Sequence, residues 1–362
     1  MEMLLDNFLN YPIAERNCMK NKLIERWNKD DSWILRKVEI IEWILGEKSD
    51  LNKLNSYHST PEGKLDFRGF SISPGFNSVS TANQMLENKV HRAGTVENII
   101  FENIDFSYAN FENILFSKCK FIQCIFAHSR MISIHEEQCE FSNCTFKKGA
   151  ISGWLGMGES IYRNVSFDSV KLVGINMSWP NFEKCQFVNC DLKRTDFGGS
   201  HFDGVKFIGK VEDVWFRGIL KADEKNNRYW KSSYERWNTI KPMKVDFSDA
   251  TLTYIDFSDY CDLSEVVLPK DGSCYLIQDV AVMRDCLENY KVAEKEINIV
   301  LLDILLKYHL IKRAGEKMSI LSLNDLNEQI KENILPEEQE SAIKSWSTIC
   351  EDLLKKDILK VQ

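Results

Sequence analysis

The sequence predicts a repeat solenoid held between two helical flanks, and three observations predict it. Phenylalanine recurs at 101, 106, 111, 116, 121 and 126 without a gap. Two residues before each stands a small or branched apolar residue: Ile99, Ile104, Ala109, Ile114, Cys119 and Cys124. On both sides of this region the apolar residues return at helical spacing.

Composition narrows the class. The chain has 362 residues, 44% of them hydrophobic, and a formal net charge of −8. That is enough apolar material for a core, and it excludes a disordered chain and a strongly basic nucleic-acid binder. The start, MEMLLDNFLN, carries two acids and no basic residue, so no signal peptide is read and the cytoplasm is the expected compartment. Eleven cysteines, an odd number, are then expected as reduced thiols. Cys119 and Cys124, Cys139 and Cys144, and Cys185 and Cys190 are each five apart, which fits no metal-ligand motif.

Taken in order, residues 1–60 read as an N-terminal helical region with Leu23, Ile24, Trp27, Trp33, Ile34, Val38, Ile41, Ile44 and Leu45 as its apolar face. Residues 61–275 hold the repeat. An imperfect first turn at Leu65, Phe67, Phe70 and Ile72 precedes a loop expected near 73–93. The register runs from Phe101 through Met131, Phe141 and Phe146 to Ile151, where one extra residue shifts the frame. Large positions then fall at Met157, Tyr162, Phe167, Leu172, Met177, Phe182, Phe187, Leu192, Phe197, Phe202 and Phe207, and finally at Phe247, Leu252 and Phe257. GWLGMG, from Gly153 to Gly158, sits at the shift and predicts a one-residue bulge. It lacks the glycine spacing and the strand–helix context of a phosphate loop. Residues 276–362 read as a C-terminal helical domain. Its run from Ile297 to Ile311, interrupted by Asp303 and Lys307, is too short for a membrane span and predicts the centre of a helical bundle.

A period of five is neither the 3.6 of an amphipathic helix nor the 2 of an alternating strand. These residues resemble the pentapeptide-repeat family, whose pattern is a large central Leu or Phe, a small residue two before it, and polar residues elsewhere. The resemblance covers roughly residues 94–268. It implies a mainly β fold with helical flanks: a right-handed quadrilateral parallel β-helix, four pentapeptides to a twenty-residue coil, capped by the helical regions. Coils about 4.8 Å apart place residues twenty apart above one another. Phe101, Phe121 and Phe141 then form one stack, and Phe106, Phe126 and Phe146 another. About seven coils are expected, roughly 30–35 Å in length.

The sequence offers no catalytic cluster, no metal-ligand set and no cofactor motif, so a non-enzymatic protein is expected. The cysteines are read as core residues in the small position. His135 and Glu136 interrupt the repeat, with a carboxylate where a large apolar residue belongs. Either the backbone turns Glu136 outward, or it is a neutral or paired group at a functional notch. The larger interruption is the insertion at 217–244, which holds eight basic residues against three acids and adds Tyr229, Trp230, Tyr234 and Trp237. Arg228, Trp230, Tyr234, Arg236 and Trp237 are the candidate partner-binding anchors, because arginine and aromatic residues dominate interface energetics. A helical hairpin packed onto the solenoid, its aromatics buried, is the alternative.

The expected function is a protein–protein interaction module or scaffold. The resemblance supplies a second reading, since pentapeptide-repeat proteins similar to quinolone-resistance and toxin-immunity proteins imitate duplex DNA and bind a type II topoisomerase. Residues 91–265 sum to only −3, weak against the charge density of a duplex, so this stands second. A secreted effector scaffold, with the C-terminal helices carrying the activity, stands third. Direct nucleic-acid binding and membrane association are disfavoured, and a homodimer would be one way to cover an open solenoid end.

Overall fold

The computed structural model describes residues 13–44, 58–72, 94–219, 240–293, 297–310 and 315–361. Two compact units, Met1–Leu172 and Val173–Gln362, divide the chain.

In the first unit the repeat builds parallel β-coils. Most copies form a three-residue strand centred on the large residue, as in Ile100–Glu102, Lys120–Ile122 and Glu140–Ser142. Phe101 lies opposite Phe121, and Phe121 opposite Phe141. Their rings stack at 4.7 and 4.6 Å, and Tyr162 continues the column at 5.0 Å. Phe106, Phe126, Phe146 and Phe167 form a second column at 5.1, 4.5 and 5.0 Å. Between faces the rings meet edge-on, Phe116 and Phe121 at 5.3 Å and 84°. Aromatic pairs favour both arrangements, so each ring is fixed from above and from the side.

The chain turns at the second residue after each large one. Asn103, Asn113, Gln123 and Asn143 hold φ between 53° and 56°. A left-handed conformation costs an ordinary residue about 1–2 kcal/mol, and Asn tolerates it best. Each such residue donates its N–H one coil onward: Asn103 to the Ile122 carbonyl, Gln123 to Ser142 and Asn143 to Arg163, all at 2.9 Å. The small position faces the same interior. The thiols of Cys119, Cys124, Cys139 and Cys144 donate to the carbonyls of Val96, Phe101, Phe116 and Phe121 at 3.2 to 3.3 Å. All four are buried and form no disulfide, and burial raises the Cys124 thiol well above its ordinary range.

The imperfect first turn is real, since Leu65 pairs with Ile104 and Ile72 with Phe111. The expected loop at 73–93 lies outside the described residues. The helices Ile13–Lys29 and Asp31–Ile44 close this end. Trp27 sets its ring edge-on to Phe70 at 5.3 Å and donates Nε1–H to the Arg68 carbonyl at 2.8 Å, while Trp43 meets Phe101 at 5.2 Å. The helix approaches so closely that a Cβ on Gly69 would stand 2.5 Å from the Leu23 carbonyl oxygen. The apolar face differs from expectation in the second helix. Arg36, Ile40, Trp43 and Ile44, at helical spacing, form the inward side, and Val38 points to solvent. Leu45 and the side chain of Ile34 lie outside the described residues.

In the second unit Met177, Phe197, Phe216 and Phe257 share one column, and Phe187, Phe207 and Phe247 another. The C-terminal region departs from the all-helical expectation. Cys274–Ile277 pairs antiparallel with both Ser319–Ser322 and Leu359–Lys360. Every residue of Ser319–Ser322 is buried, so the strand shows no alternation to read. The apolar run becomes the short helix Ile299–Ile304 and the wider π turn Leu305–Leu310, and Leu301, Leu302, Leu305 and Leu310 enter the core beside the helices Val280–Ala293 and Pro336–Lys355. This region also covers the last coil's free backbone groups. The Tyr254 N–H donates to both Asp325 carboxylate oxygens at 2.9 and 3.0 Å, the Tyr260 N–H to Glu316 at 2.7 Å, and Ser322 Oγ to the Leu252 carbonyl at 3.1 Å.

Two outcomes follow from the packing. Phe121→Asp should lose at least about 3–5 kcal/mol in chemical denaturation, because it removes a ring from a filled column and buries a charge, whereas Lys184→Gln should change stability by less than about 0.5 kcal/mol. An unchanged melting temperature for Phe121→Asp would refute the column. Native-state alkylation should label exposed Cys18 first and reach Cys119, Cys124, Cys139, Cys144, Cys185, Cys190 and Cys261 only on unfolding, with thiol modification followed by peptide mass.

Candidate functional site

Glu136 takes the place of a large core residue. It lies opposite Phe116, which in turn lies opposite Val96, and it is only 2% exposed. The outward-turned reading is therefore wrong. His135, Glu136 and Glu137 keep unbroken register with Leu115, Phe116 and Ser117, so the strand has no freedom to rotate the carboxyl to solvent.

The accommodation comes from the neighbouring strand, Ala150–Met157. Its offset from Arg130–Glu137 is twenty residues at Met131–Ile151, falls to nineteen at Ile134–Gly153, and returns to twenty at Glu137–Met157; at the next pair of strands, Glu140–Ile161, it is twenty-one. This is the bulge expected from GWLGMG. Gly153 has a φ of +131°, and a Cβ there would fall 1.9 Å from the Ile134 carbonyl oxygen, so no side chain fits. The bulge also moves the core position: Leu155 is buried, whereas Met157, expected as the large inward residue, is half-exposed.

With the strand displaced, Gly156 donates its N–H to Glu136 Oε1 at 2.8 Å, and the Tyr162 hydroxyl donates to the same oxygen. Desolvation nevertheless prevails, pushing the Glu136 carboxyl up to about 7, while Tyr162, Gly156 and Ser160 pull it back toward the ionised form. His135 sits in register between Leu115 and Trp154 and points to the other side of the strand, and burial lowers its pKa. The two notch residues adjoin in sequence, but their side chains face opposite sides of the strand. A lone buried carboxyl beside a tyrosine can take up and release a proton. Among the described residues no group of three or more His, Cys, Asp or Glu is placed to hold a metal ion.

Arg228, Trp230, Tyr234, Arg236 and Trp237 lie outside the described residues. The roots of their insertion are described, and they are pinned. Gly218 and Ile219 donate to the carbonyls of Ser258 and Asp259 at 3.0 and 2.8 Å, and Met243 to Asp262 at 2.8 Å. Asp203–Arg217 pairs with Lys244–Ser258, and Phe216 stacks on Phe197 on one side and on Phe257 on the other, each at 5.1 Å. A shallow depression between the roots is lined by Ser200, His201, Arg217, Lys241, Tyr260 and Asp262.

The outward rows carry a feature that the repeat pattern does not reveal. Lys120 and Arg163 each lie 3.2 Å from Glu140, and Lys147 lies 3.5 Å from Asp168. In the second unit Lys193 and Lys210 both stand 2.9 Å from Glu212, and Lys244 stands 3.1 Å from Asp203. These four acids are neutralised along or between coils.

The family described as pentapeptide repeats, in blocks of eight copies, matches residues 163–199 and 171–209. Residues 163–209 thus carry pentapeptide repeats. No curated protein matches it. Among solved structures, QnrB1, a plasmid-mediated fluoroquinolone resistance protein, is 12% identical, covering 54% of this chain and 90% of its own, with a TM-score of 0.26. HetL, a pentapeptide-repeat protein involved in heterocyst differentiation regulation from the cyanobacterium Nostoc sp. strain PCC 7120, is also 12% identical, covering 58% and 93%, with a TM-score of 0.21.

Glu136 makes stability depend on pH in a defined direction. Its folded value of about 7 exceeds the ordinary 4.5, so between the two the native state binds more protons than the unfolded chain. The contribution is fully present below about 4.5 and is lost as pH rises through 7, amounting to about 3 kcal/mol. Urea midpoints measured from about pH 5 to 8 should fall more steeply for the wild type than for Glu136→Gln. Parallel curves would show that this carboxyl does not titrate in the window.

Proposed function

We propose that this chain is a non-enzymatic interaction module, a rigid coil that presents the insertion at 217–244 to a protein partner with acidic side chains. The observation that carries the reading is the continuity of the core across the insertion: Phe216 stacks on Phe257 at 5.1 Å although forty-one residue numbers separate them. The column thus passes from Phe216 to Phe257 with no residue of the insertion between them. Loops on a rigid solenoid are where recognition is usually placed, and an excess of basic side chains interleaved with aromatics suits an acidic, partly apolar protein surface. The paired outward acids weigh against imitation of duplex DNA, which needs an uncompensated negative surface.

The test replaces Gly218–Pro242 with a short glycine-serine link, checks by circular dichroism that the β signal persists, and compares proteins retained from a native lysate by quantitative mass spectrometry. Loss of a partner by tenfold or more is expected, since hot-spot truncations cost about 2 kcal/mol or more. Retention of every partner at wild-type strength would defeat the proposal. Recovery of topoisomerase subunits alone, unaffected by the deletion, would replace it with duplex imitation.

A further inference from the structure

Arg36 sits on the inward side of the helix Asp31–Ile44, one turn from Ile40, and is only 4% exposed. Its Nε, Nη1 and Nη2 are all buried, and none meets an acceptor. A guanidinium keeps its charge inside a protein, so burial without a counter-charge is strongly unfavourable. The surroundings deepen the deficit. Arg26, Arg36 and Arg68 gather about a single buried carboxylate, Asp66, whose two oxygens are already taken by Arg26 at 2.8 and 3.1 Å and by Arg68 at 2.9 and 3.0 Å. Arg26 Nε is a second buried donor without an acceptor. Trp33 forms a wall of the cluster: the guanidinium carbons of Arg26 and Arg36 stand 3.8 and 5.6 Å from its ring centroid, and His58 stacks on the ring at 4.6 Å. Glu39 and Asp66 act on Arg36 electrostatically, but neither bonds to it.

We propose that Arg36, with Arg26 and the Trp33 wall, is a seat for one small oxyanion of the carboxylate or phosphate type. No acceptor bonds to either edge of the planar Arg36 fork, and a two-oxygen anion matches such a fork with two parallel hydrogen bonds. The anion would supply the acceptor that Asp66 has no capacity left to provide, and would tie the second helix to the Arg26–Asp66–Arg68 cluster that closes the first coil. Occupancy would thus set the firmness of the N-terminal cap.

The experiment uses the full chain in chloride buffer and titrates sodium phosphate or sodium acetate in separate arms at constant ionic strength, with calorimetric binding and thermal melting as readouts. In the wild type at least one arm should bind saturably and raise Tm by roughly 3 °C at tenfold excess over Kd. Saturation by phosphate alone identifies a phosphate-type ligand, and by acetate a carboxylate. Arg36→Met and Arg36→Lys should each weaken binding at least tenfold; the lysine variant retains the charge but loses the fork, and serves if the methionine variant does not fold. In chloride alone Arg36→Met should melt no lower than wild type, because it removes a buried charge whose nitrogens have no acceptor. Equal anion responses in all three proteins, or no saturable binding in the wild type, would overturn the proposal. So would a folded Arg36→Met that melts well below wild type in chloride alone, since the guanidinium would then be paired within the chain.

Discussion

The constraint on which everything else depends is vertical registry: a large side chain must stand directly over its counterpart one coil away. Phe101, Phe121, Phe141 and Tyr162 meet it with near-parallel rings 4.6 to 5.0 Å apart. Strands of three residues carry too little hydrogen bonding to define a sheet alone, so the columns and the coil-to-coil bonds must agree at every level. Each corner consequently adopts a left-handed conformation whose local cost is offset by an N–H donated to the adjacent coil. An extra residue cannot be spread along the coil, because every later side chain would leave its column. It is absorbed locally instead, between Trp154 and Ile161, where the offset climbs from nineteen to twenty-one, next to Gly153, where the backbones come too close for a Cβ.

Registry also creates the problem of ends. A stack of parallel coils leaves backbone donors and acceptors unpaired at its last level, an edge that invites pairing with another chain. The two units answer differently. The first covers its opening coil with tryptophans and a network of charges around Asp66. In the second, carboxylates of Asp325 and Glu316 accept directly from the exposed N–H groups of Tyr254 and Tyr260. Ser322 both donates to the Leu252 carbonyl and accepts from the Asp325 N–H at the start of the helix Leu323–Asn333, so the helix terminus and the coil edge share their caps.

Registry explains what the sequence revealed and what it withheld. The phenylalanine columns and the cysteines were legible because each position repeats, and every copy restates the same burial. Glu136 is a single departure, and the cost of burying a carboxylate favoured an outward reading. The structure resolves that cost by another route, with a neutral-leaning carboxyl that accepts from Gly156 and Tyr162, and the displaced strand that makes this geometry is not encoded at position 136. The exchange of Met157 for Leu155 has the same origin. The strands Cys274–Ile277 and Ser319–Ser322 were missed because four-residue segments without clear alternation carry no period. In the helix Asp31–Ile44 an arginine occupies an inward position, which obscured the true face.

The outward rows bear on where recognition can reside. Exposed ion pairs contribute little stability, roughly 0–1 kcal/mol each, yet they recur along both units. Their consequence is electrostatic: a carboxylate held by a lysine or arginine on its own coil or the next presents little field to a third body. Part of the charge on the coils is therefore already paired. A surface that attracts a specific protein needs charges without internal partners and large side chains free to be buried on contact. The repeat limits both along its rows, because the large residue of each copy belongs in the column and acids such as Glu140 and Glu212 are held by neighbouring cations. Recognition is thus expected where the pattern is broken. The insertion at 217–244 is such a break, carrying surplus cations and aromatics on roots held by the hydrogen bonds of Gly218, Ile219 and Met243.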